Sequence, residues 1–381
     1  MRATSPIIKA RNVKLGVRLR LVGAAAGLCE FRGCNKEVFT HPLTLAEGNY
    51  SETAHIYAFS PSGPRGANAN ISDINGFENL ILLCLDCHHL IDTHVEDYPV
   101  TTLKLYKKEH EQRIRESTSI GPELRTRILQ LKGTIGGQFV DIPAGDIRTA
   151  ICPRYPAEQN NIIIDLTPVS VEDPDFFQRS QEIIRRDLKL CMNGRIEGSK
   201  MQHFSVFAFA PIPVLICLGR ELGDKLNVDI YQRNLDTQEW KWQTNGKPVE
   251  YDFHCIRSGT DFNAVGLILS LSGKVAPSSL PCEIDGRYFL YEMTLKKQEP
   301  SRTYLRRKED LLRFRREYRK ALAIISRAHN GVRQVHLFPA VPISVAIACG
   351  QELLPKAHPE IIIYDNKQGN FRKAISINNG G

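Results

Sequence analysis

The sequence has 381 residues, which is enough for two or three domains. It is 42% hydrophobic and 24% charged, and no apolar run approaches the ~20 residues of a membrane-spanning helix, so a membrane protein is not expected. Ten cysteines are too few for a disulfide scaffold, which argues against a disulfide-rich secreted protein and favours reduced thiols in the cytoplasm.

The first 28 residues predict a basic arm followed by a short Ala-rich helix. The net charge of +8 is concentrated partly here and partly between Arg302 and Lys320. Basic clusters of this kind can neutralise nucleic-acid phosphates. The apolar run 21–28 is short and leads directly into a cysteine pair, so it is interpreted as a helix and not as a signal peptide. The basic residues of the arm and helix are Arg2, Lys9, Arg11, Lys14, Arg18 and Arg20.

Two close cysteine pairs bracket the turn-rich segment that follows. Cys29 and Cys34 are separated by four residues, and Cys84 and Cys87 by two. Four thiolates in two such pairs satisfy a tetrahedral zinc ion with no open position, which is typical of a structural site. Such an ion can stabilise a loop-rich module that has little core of its own. We expect this first domain to span residues 1–120.

The middle of the chain changes character. A helix is predicted over Glu123–Lys132, and the Gly- and Pro-rich composition around it predicts a linker over residues 121–156. Alternating apolar strands and amphipathic helices then extend over residues 157–381. The predicted strands are Asn161–Leu166, Phe204–Phe209, Val228–Tyr231, Val265–Leu271, Tyr288–Leu295, Val335–Phe338 and Ile361–Tyr364. The predicted helices are Asp173–Cys191, Pro211–Leu222, Arg306–Ala328 and Pro342–Leu354.

This alternating part contains an internal repeat. The segment Phe207–Leu222 aligns with Phe338–Leu353 without a gap, at an offset of 131 residues. The two segments share Phe, Pro, Gly, Glu and Leu at equivalent positions. Two α/β units of common ancestry are the natural explanation, at about 157–258 and 259–381.

Three side chains between the cysteine pairs suit phosphodiester hydrolysis. His55 follows a short strand-like segment, Asn79 lies five residues before Cys84, and His88 directly follows Cys87. Hydrolysis of a phosphodiester needs a base to activate water and a cation to stabilise the developing charge. A neutral imidazole can be the base, another can hold a metal ion, and an amide can orient the base.

The order of these residues resembles the HNH, or ββα-metal, endonuclease family. The resemblance covers roughly residues 20–115. It implies that His55 is the general base, Asn79 the orienting residue and His88 a ligand of Mg²⁺ or another divalent metal. It also implies that Arg65, in a Gly-Pro-Arg loop, contacts DNA phosphate.

One position departs from the family. Many members carry a metal-binding Asp just before the base histidine, whereas this chain has Ala54. The catalytic metal would then rely on His88 together with another ligand, for which Asp73, Glu52 and His89 are candidates.

The architecture as a whole resembles the HNH–SAVED effectors of bacterial cyclic-oligonucleotide anti-phage defence (CBASS). That resemblance implies a SAVED domain of two fused Rossmann-like (CARF-like) repeats after a zinc-stabilised α+β HNH domain. It also implies binding of a cyclic di- or trinucleotide, of cyclic GMP-AMP type, made by a cognate nucleotidyltransferase. Binding would drive assembly of a homo-oligomer, a dimer or tetramer, that degrades double-stranded DNA in the cytoplasm.

The ligand pocket can be predicted only from topology. Doubly wound units bind ligands at the carboxyl ends of their strands, where helix N-termini favour phosphate. Hydroxyl groups and an ammonium group lie at the end of the predicted strand Val265–Leu271, and a proline follows each of the two repeated strands. The two tryptophans offer rings on which a base can stack. The resulting candidates for cyclic-nucleotide binding are Pro211, Trp240, Trp242, Ser270, Ser272, Lys274 and Pro342.

Two other functions remain open at this stage. One is an HNH restriction-type nuclease that needs no second messenger. The other is a zinc-stabilised DNA-binding regulator whose catalytic site is inactive.

Overall fold

The chain forms two structural units that divide between Gly121 and Pro122. The structure is a computed structural model that describes residues 12–66, 73–158, 161–193, 203–354 and 357–378. Arg2, Lys9 and Arg11 of the predicted basic arm lie outside the described residues. None of the helices within the described ranges is long and apolar enough to cross a membrane.

The N-terminal unit is built on a β-hairpin followed at once by a helix. Its elements are helix α1 (Leu15–Ala25), strands β1 (Ser51–His55) and β2 (Leu80–Cys84), and helices α2 (Leu85–Thr93) and α3 (Val100–Thr118). The two strands are antiparallel, with His55 opposite Leu80 and Ser51 opposite Cys84. All five residues of β2 are buried, because it is the centre of this unit's apolar core.

The first half of the C-terminal unit, residues 122–249, contains a parallel sheet. Its strands are β3 (Arg125–Lys132), β4 (Thr134–Ile135), β5 (Gln138–Phe139), β6 (Tyr155–Pro156), β7 (Ile162–Asp165), β8 (His203–Phe209) and β9 (Asn227–Ile230). Its helices are α4 (Ala144–Ile151), α5 (Phe176–Asn193) and α6 (Ile212–Leu222). The sheet order is β6-β3-β8-β9, with β7 also paired to β3, whereas β4 and β5 form a separate hairpin.

The predicted linker is wrong. Residues 125–132, predicted as a helix, form strand β3, which pairs in parallel with β7 on one side and β8 on the other. Its charged residues lie near its ends, while Leu129 and Leu131 are fully buried. A central parallel strand buries both faces, and partners far along the chain supply that burial. The C-terminal unit therefore begins before residue 157.

The second half, residues 250–378, repeats the arrangement. Its strands are β10 (Glu250–Arg257), β11 (Asp261–Ser270), β12 (Tyr288–Lys296), β13 (Gln334–Ala340), β14 (Glu360–Lys367) and β15 (Asn370–Ile377). Its helices are α7 (Lys308–Ala328) and α8 (Ile343–Gln351). The order is β10-β12-β11-β13-β14-β15, with the four inner strands parallel and the two outer strands antiparallel to them.

Helices α6 and α8, which are the repeated helices of the sequence, pack directly on each other. One apolar core continues across both halves, from Leu129 and Val206 to Leu267 and Leu337. The predicted fold of two fused Rossmann-like repeats is confirmed. In each half, a repeated helix begins shortly after the carboxyl end of a parallel strand: α6 follows β8 and α8 follows β13.

Candidate active site and sensor edge

The four paired cysteines converge on one point of the N-terminal unit. The sulfur atoms of Cys29, Cys34, Cys84 and Cys87 all lie within 4.8 Å of one another, and those of Cys34 and Cys84 are 4.0 Å apart. Tetrahedral zinc with Zn–S bonds of about 2.3 Å separates its sulfurs by about 3.8 Å. The cluster therefore fits zinc, and it fits a closed site because all four positions are protein thiols.

The local fold explains this convergence. Cys29 and Cys34 flank the turn that follows α1, whereas Cys84 ends β2 and Cys87 lies in the first turn of α2. Burial raises the pKa of the Cys29 thiol to about 12, and burial with repulsion from Cys29 also raises the pKa of Cys87. Four thiolates this close require a cation, and a zinc ion would supply it.

His55 is the last residue of β1, and its ring is held by an amide. Its Nε2 lies 2.9 Å from Oδ1 of Asn75. A carbonyl oxygen only accepts, so Nε2 donates and Nδ1 carries the lone pair. No hydrogen bond to Nδ1 is made by the described part of the chain. The sequence prediction missed Asn75, whose only local signal is that it precedes Gly76 in a turn that begins at Asp73.

Asn79, predicted to orient the base, acts on the backbone instead. Its Nδ2 donates to the carbonyls of Tyr57 and Ile74, at 3.0 and 2.9 Å, and its Oδ1 accepts from the Tyr57 amide at 2.9 Å. The side chain is buried and makes no hydrogen bond to the His55 ring. Asn79 therefore holds the chain that leaves His55 against the loop that carries Asn75.

Arg65, predicted to contact DNA phosphate, is engaged inside the N-terminal unit. Its side chain is only 4% exposed. Nε donates to the Ile56 carbonyl at 3.0 Å, and Nη1 donates to the Ile91 carbonyl at 2.7 Å. Nη2 donates to Oδ1 of Asp92 at 2.7 Å. All these donors are used inside the domain, so Arg65 ties β1 to α2.

His88 lies on the exposed side of α2 beside a carboxylate that the sequence prediction did not consider. Its Nε2 is 3.4 Å from Oδ2 of Asp92, one helical turn later. The spacing of four residues was visible in the sequence. Asp73, the predicted second ligand, is exposed, and in the described part of the chain only the cysteines form a cluster of three or more candidate metal ligands.

The two tryptophans differ in their exposure. Trp240 is 2% exposed and packs edge-on against Phe207 at 5.5 Å between ring centroids. The indole N–H of the half-buried Trp242 donates to the Ile230 carbonyl at 3.0 Å. Trp240 belongs to the apolar core that covers one face of the first sheet, so its prediction as a ligand residue is wrong.

The other predicted ligand residues lie at the carboxyl ends of the strands. Ser270 is buried and its hydroxyl accepts from the Val275 amide, whereas Lys274 is exposed. The amide of Ser272 donates to the Ala340 carbonyl at 2.8 Å, which joins the ends of β11 and β13. The N-cap residues of the repeated helices are Pro211 of α6 and Pro342 of α8.

A polar cavity of about 320 Å³ lies beside this edge, where β12 ends and α7 begins. Arg306 and Arg307 line it, although each is already paired with an acidic side chain. Lys247 also lines it, is exposed, and makes no ion pair with any described residue. The hydroxyls of Ser301 and Thr303 and the carboxylates of Glu299 and Asp310 also line it, so the cavity carries charges of both signs.

Comparison with known families agrees with this division of the chain. Residues 29–95 match the HNH endonuclease family. Residues 184–377 match the SAVED family, whose description is "SMODS-associated and fused to various effectors sensor domain". A search of the curated proteins finds no match. The predicted order, an HNH domain followed by a SAVED domain, is confirmed.

Several solved structures show a weak similarity to this chain. A Cap4 SAVED/CARF-domain containing receptor from Acinetobacter baumannii, with the cyclic trinucleotide 3'3'3'-cAAA, is 10% identical at a TM-score of 0.43. That match covers 76% of this chain and 61% of the other. The corresponding receptor from Moraxella osloensis is 11% identical at a TM-score of 0.39, covering 74% and 63%. This chain thus spans about three-fifths of the length of those proteins.

Proposed function

The chain belongs to the SAVED family of sensor domains, and we propose that it is a metal-dependent endonuclease that degrades double-stranded DNA when a cyclic oligonucleotide binds. The observation that carries the proposal is the presence on one chain of an HNH endonuclease domain, residues 29–95, and a SAVED domain, residues 184–377. The role that follows is that of an effector in anti-phage defence.

In the proposed reaction His55 is the general base. Asn75 holds the ring through Nε2, so Nδ1 can accept a proton from the attacking water. A positioned base typically contributes about 10²–10⁴-fold to the rate. A divalent ion such as Mg²⁺, held by His88, supplies charge stabilisation for the phosphate and the leaving oxygen when it is bound. Asn79 contributes indirectly, because it fixes the backbone between Tyr57 and Ile74.

We place the activating ligand at the carboxyl edge of the C-terminal unit. Ligands of doubly wound folds bind there, because the N-termini of the helices attract phosphate. Lys274 and Ser272 remain candidates from the sequence, and Trp240 is withdrawn because it is buried. The cavity at the start of α7 adds Lys247, a cation that pairs with no acidic side chain in the described part of the chain, as a contact for a phosphodiester. The ligand class is a cyclic di- or trinucleotide, of cyclic GMP-AMP type, from a cognate nucleotidyltransferase.

Association of chains would follow ligand binding. One HNH site acts on one strand at a time, so two paired sites would cut both strands of a duplex together. A homo-oligomer, dimer or tetramer, would provide such paired sites, and closed symmetric assemblies are the common solution. The ligand then acts by favouring the assembled state through its differential affinity for that state.

The test uses the purified full chain with linear double-stranded DNA, Mg²⁺ and a panel of cyclic di- and trinucleotides. We expect cleavage only in the presence of one ligand class, together with a shift to a larger species in light scattering. Cleavage at the same rate without ligand would overturn the gating. DNA binding without cleavage under every combination of metal and ligand would instead support the regulator without an active site.

A further inference from the structure

His88 and Asp92 form a pair of donor atoms on the exposed side of α2. His88 Nε2 and Asp92 Oδ2 are 3.4 Å apart, and the two side chains are 32% and 38% exposed. An imidazole nitrogen and a carboxylate oxygen at this separation can share one divalent ion, and this donor set suits Mn²⁺-class metals. The exposure of the pair leaves room for water and for a phosphate.

The carboxylate of this pair is held in place from behind. Arg65 donates from Nη2 to Oδ1 of Asp92 at 2.7 Å, so one oxygen is engaged and the other is directed at His88. The guanidinium is almost fully buried and also donates to the Ile56 carbonyl. Ile56 directly follows His55. The Arg65 side chain therefore fixes both helix α2, which carries His88 and Asp92, and the end of strand β1, which carries His55. Binding sites need such supporting contacts to keep their geometry.

The position just before the base histidine, which carries a metal-binding Asp in many related nucleases, is Ala54 in this chain and provides no ligand. Ala54 is 2% exposed, lies opposite Ile81 in the hairpin and belongs to the apolar core. Neighbouring residues of a strand point to opposite faces, so Ala54 faces away from the side that carries His55. A ligand that accompanies His88 must therefore come from another element.

We propose that Asp92 is the second protein ligand of the catalytic divalent ion, and that His88 Nε2 and Asp92 Oδ2 are the donor atoms. Arg65 is a positioning residue that acts through Asp92. The proposal rests on the proposed function in that it takes His88 as a metal ligand.

The test measures Mn²⁺ binding to the zinc-loaded full chain, without DNA or cyclic oligonucleotide, by the loss of the free Mn²⁺ EPR signal. In Asp92→Asn the amide oxygen can still accept from Arg65, so we expect the domain to keep its fold, which the melting temperature checks. We expect Mn²⁺ binding to weaken at least about tenfold in Asp92→Asn and in His88→Ala, since loss of even an outer contact typically costs 10–100-fold. Asp92→Glu keeps a carboxylate and should bind within a few-fold of wild type.

The matched control is Asp97→Asn, which removes an exposed carboxylate 4.0 Å from His94 and should leave Mn²⁺ binding unchanged. Zinc content and the melting temperature are measured for every variant. Unchanged binding in Asp92→Asn, or a wild-type chain that binds no Mn²⁺, would overturn the proposal. Because this assay needs no cleavage, a chain that binds Mn²⁺ through Asp92 but never cuts DNA would refute the proposed function alone.

Discussion

Gly219 of α6 and Gly350 of α8 each lie against the main chain of the other helix. A Cβ atom on Gly219 would stand 1.9 Å from the Ile347 carbonyl oxygen, and one on Gly350 would stand 1.9 Å from that of Ile216. The two contacts are equivalent, because both pairs of residues are related by the 131-residue repeat. The close approach of α6 and α8 therefore depends on glycine at both positions, because glycine has no Cβ atom.

Replacing either glycine by alanine should separate α6 from α8 and destabilise the C-terminal unit. We expect Gly219→Ala and Gly350→Ala each to lower the free energy of unfolding by about 1–3 kcal/mol, the usual effect of overpacking. Urea unfolding followed by tryptophan fluorescence measures this directly. The chain's only tryptophans, Trp240 and Trp242, both lie in this unit, so the signal reports its unfolding alone.

Gly145 provides the matched control. It lies in α4, and among the described residues no atom beyond its chain neighbours and its own helix backbone is within 4 Å of the Cβ that alanine would add. Gly145→Ala should leave stability unchanged or raise it by about 0.4–1 kcal/mol, through the lower entropy of the unfolded chain. A loss at Gly145 as large as that at Gly219 would show that the helix crossing is not the cause.

The repeat that contains these glycines was visible in the sequence, whereas strand β3 was not. Repeated residues and thiol spacings are local patterns, so they can be found without knowing which segments meet. Strand β3 carries charged residues near both ends, and its apolar centre is too short to distinguish a strand from a helix. Its two flanking partners, β7 and β8, lie far along the chain.

The candidate site was predictable in position but not in its internal contacts. The cysteine cluster and the locations of His55 and His88 followed from spacing. The sequence did not show that the Arg65 guanidinium would be enclosed, or that Asn75 and not Asn79 would bond the His55 ring. Those contacts depend on which groups the folded loop places opposite one another. The segment contains more than one asparagine, and the sequence does not show which of them reaches the His55 ring.

Loss of the zinc site should unfold the N-terminal unit and spare the C-terminal one. Structural zinc contributes about 10–16 kcal/mol in small domains, comparable to or above the total stability of a typical domain. We expect Cys34→Ser to lose bound zinc and the far-UV signal of the N-terminal helices, while tryptophan fluorescence unfolding stays unchanged. Cys152→Ser changes an exposed thiol outside the cluster and should retain full zinc content. Retention of zinc by Cys34→Ser would contradict the four-thiol assignment.

Removal of the proposed base should abolish cutting without harming the rest of the chain. His55→Ala is expected to lower the single-turnover cleavage rate on ligand-activated chain by about 10²–10⁴-fold. Zinc content and affinity for the cyclic oligonucleotide should not change. His94→Ala, at an exposed position after α2, is the control and should cut normally. Near-normal cutting by His55→Ala would remove His55 from the reaction.

The amide of Asn79 should matter for stability. The buried side chain satisfies the amide and carbonyl of Tyr57 and the carbonyl of Ile74. Buried groups left without partners cost about 1–3 kcal/mol each, so Asn79→Ala should clearly lower the melting temperature of the N-terminal unit. Far-UV circular dichroism of the zinc-loaded chain checks this. An Asn79→Ala chain that melts normally but no longer cuts would restore the direct orienting role predicted from the sequence.

The pH dependence of the C-terminal unit should reveal Asp229. Burial alone would raise the pKa of this carboxyl, but its contacts with His203 and Lys308 outweigh burial and hold the pKa well below its usual range. Lys308 Nζ lies 2.5 Å from Oδ1 of Asp229. A depressed pKa means that the carboxylate stabilises the fold above the unfolded value of about 3.9, and that this contribution is lost as the pH falls further.

We therefore expect the stability difference between wild type and Asp229→Asn to be largest at pH 5–6 and to shrink towards pH 3. Urea midpoints from tryptophan fluorescence at several pH values measure this difference in the C-terminal unit. Asp224→Asn, at an exposed position that makes no ion pair with any described residue, is the control and should track wild type throughout. A difference for Asp229→Asn that stays constant from pH 6 to pH 3 would mean that the side chain contributes by packing and not by its charge.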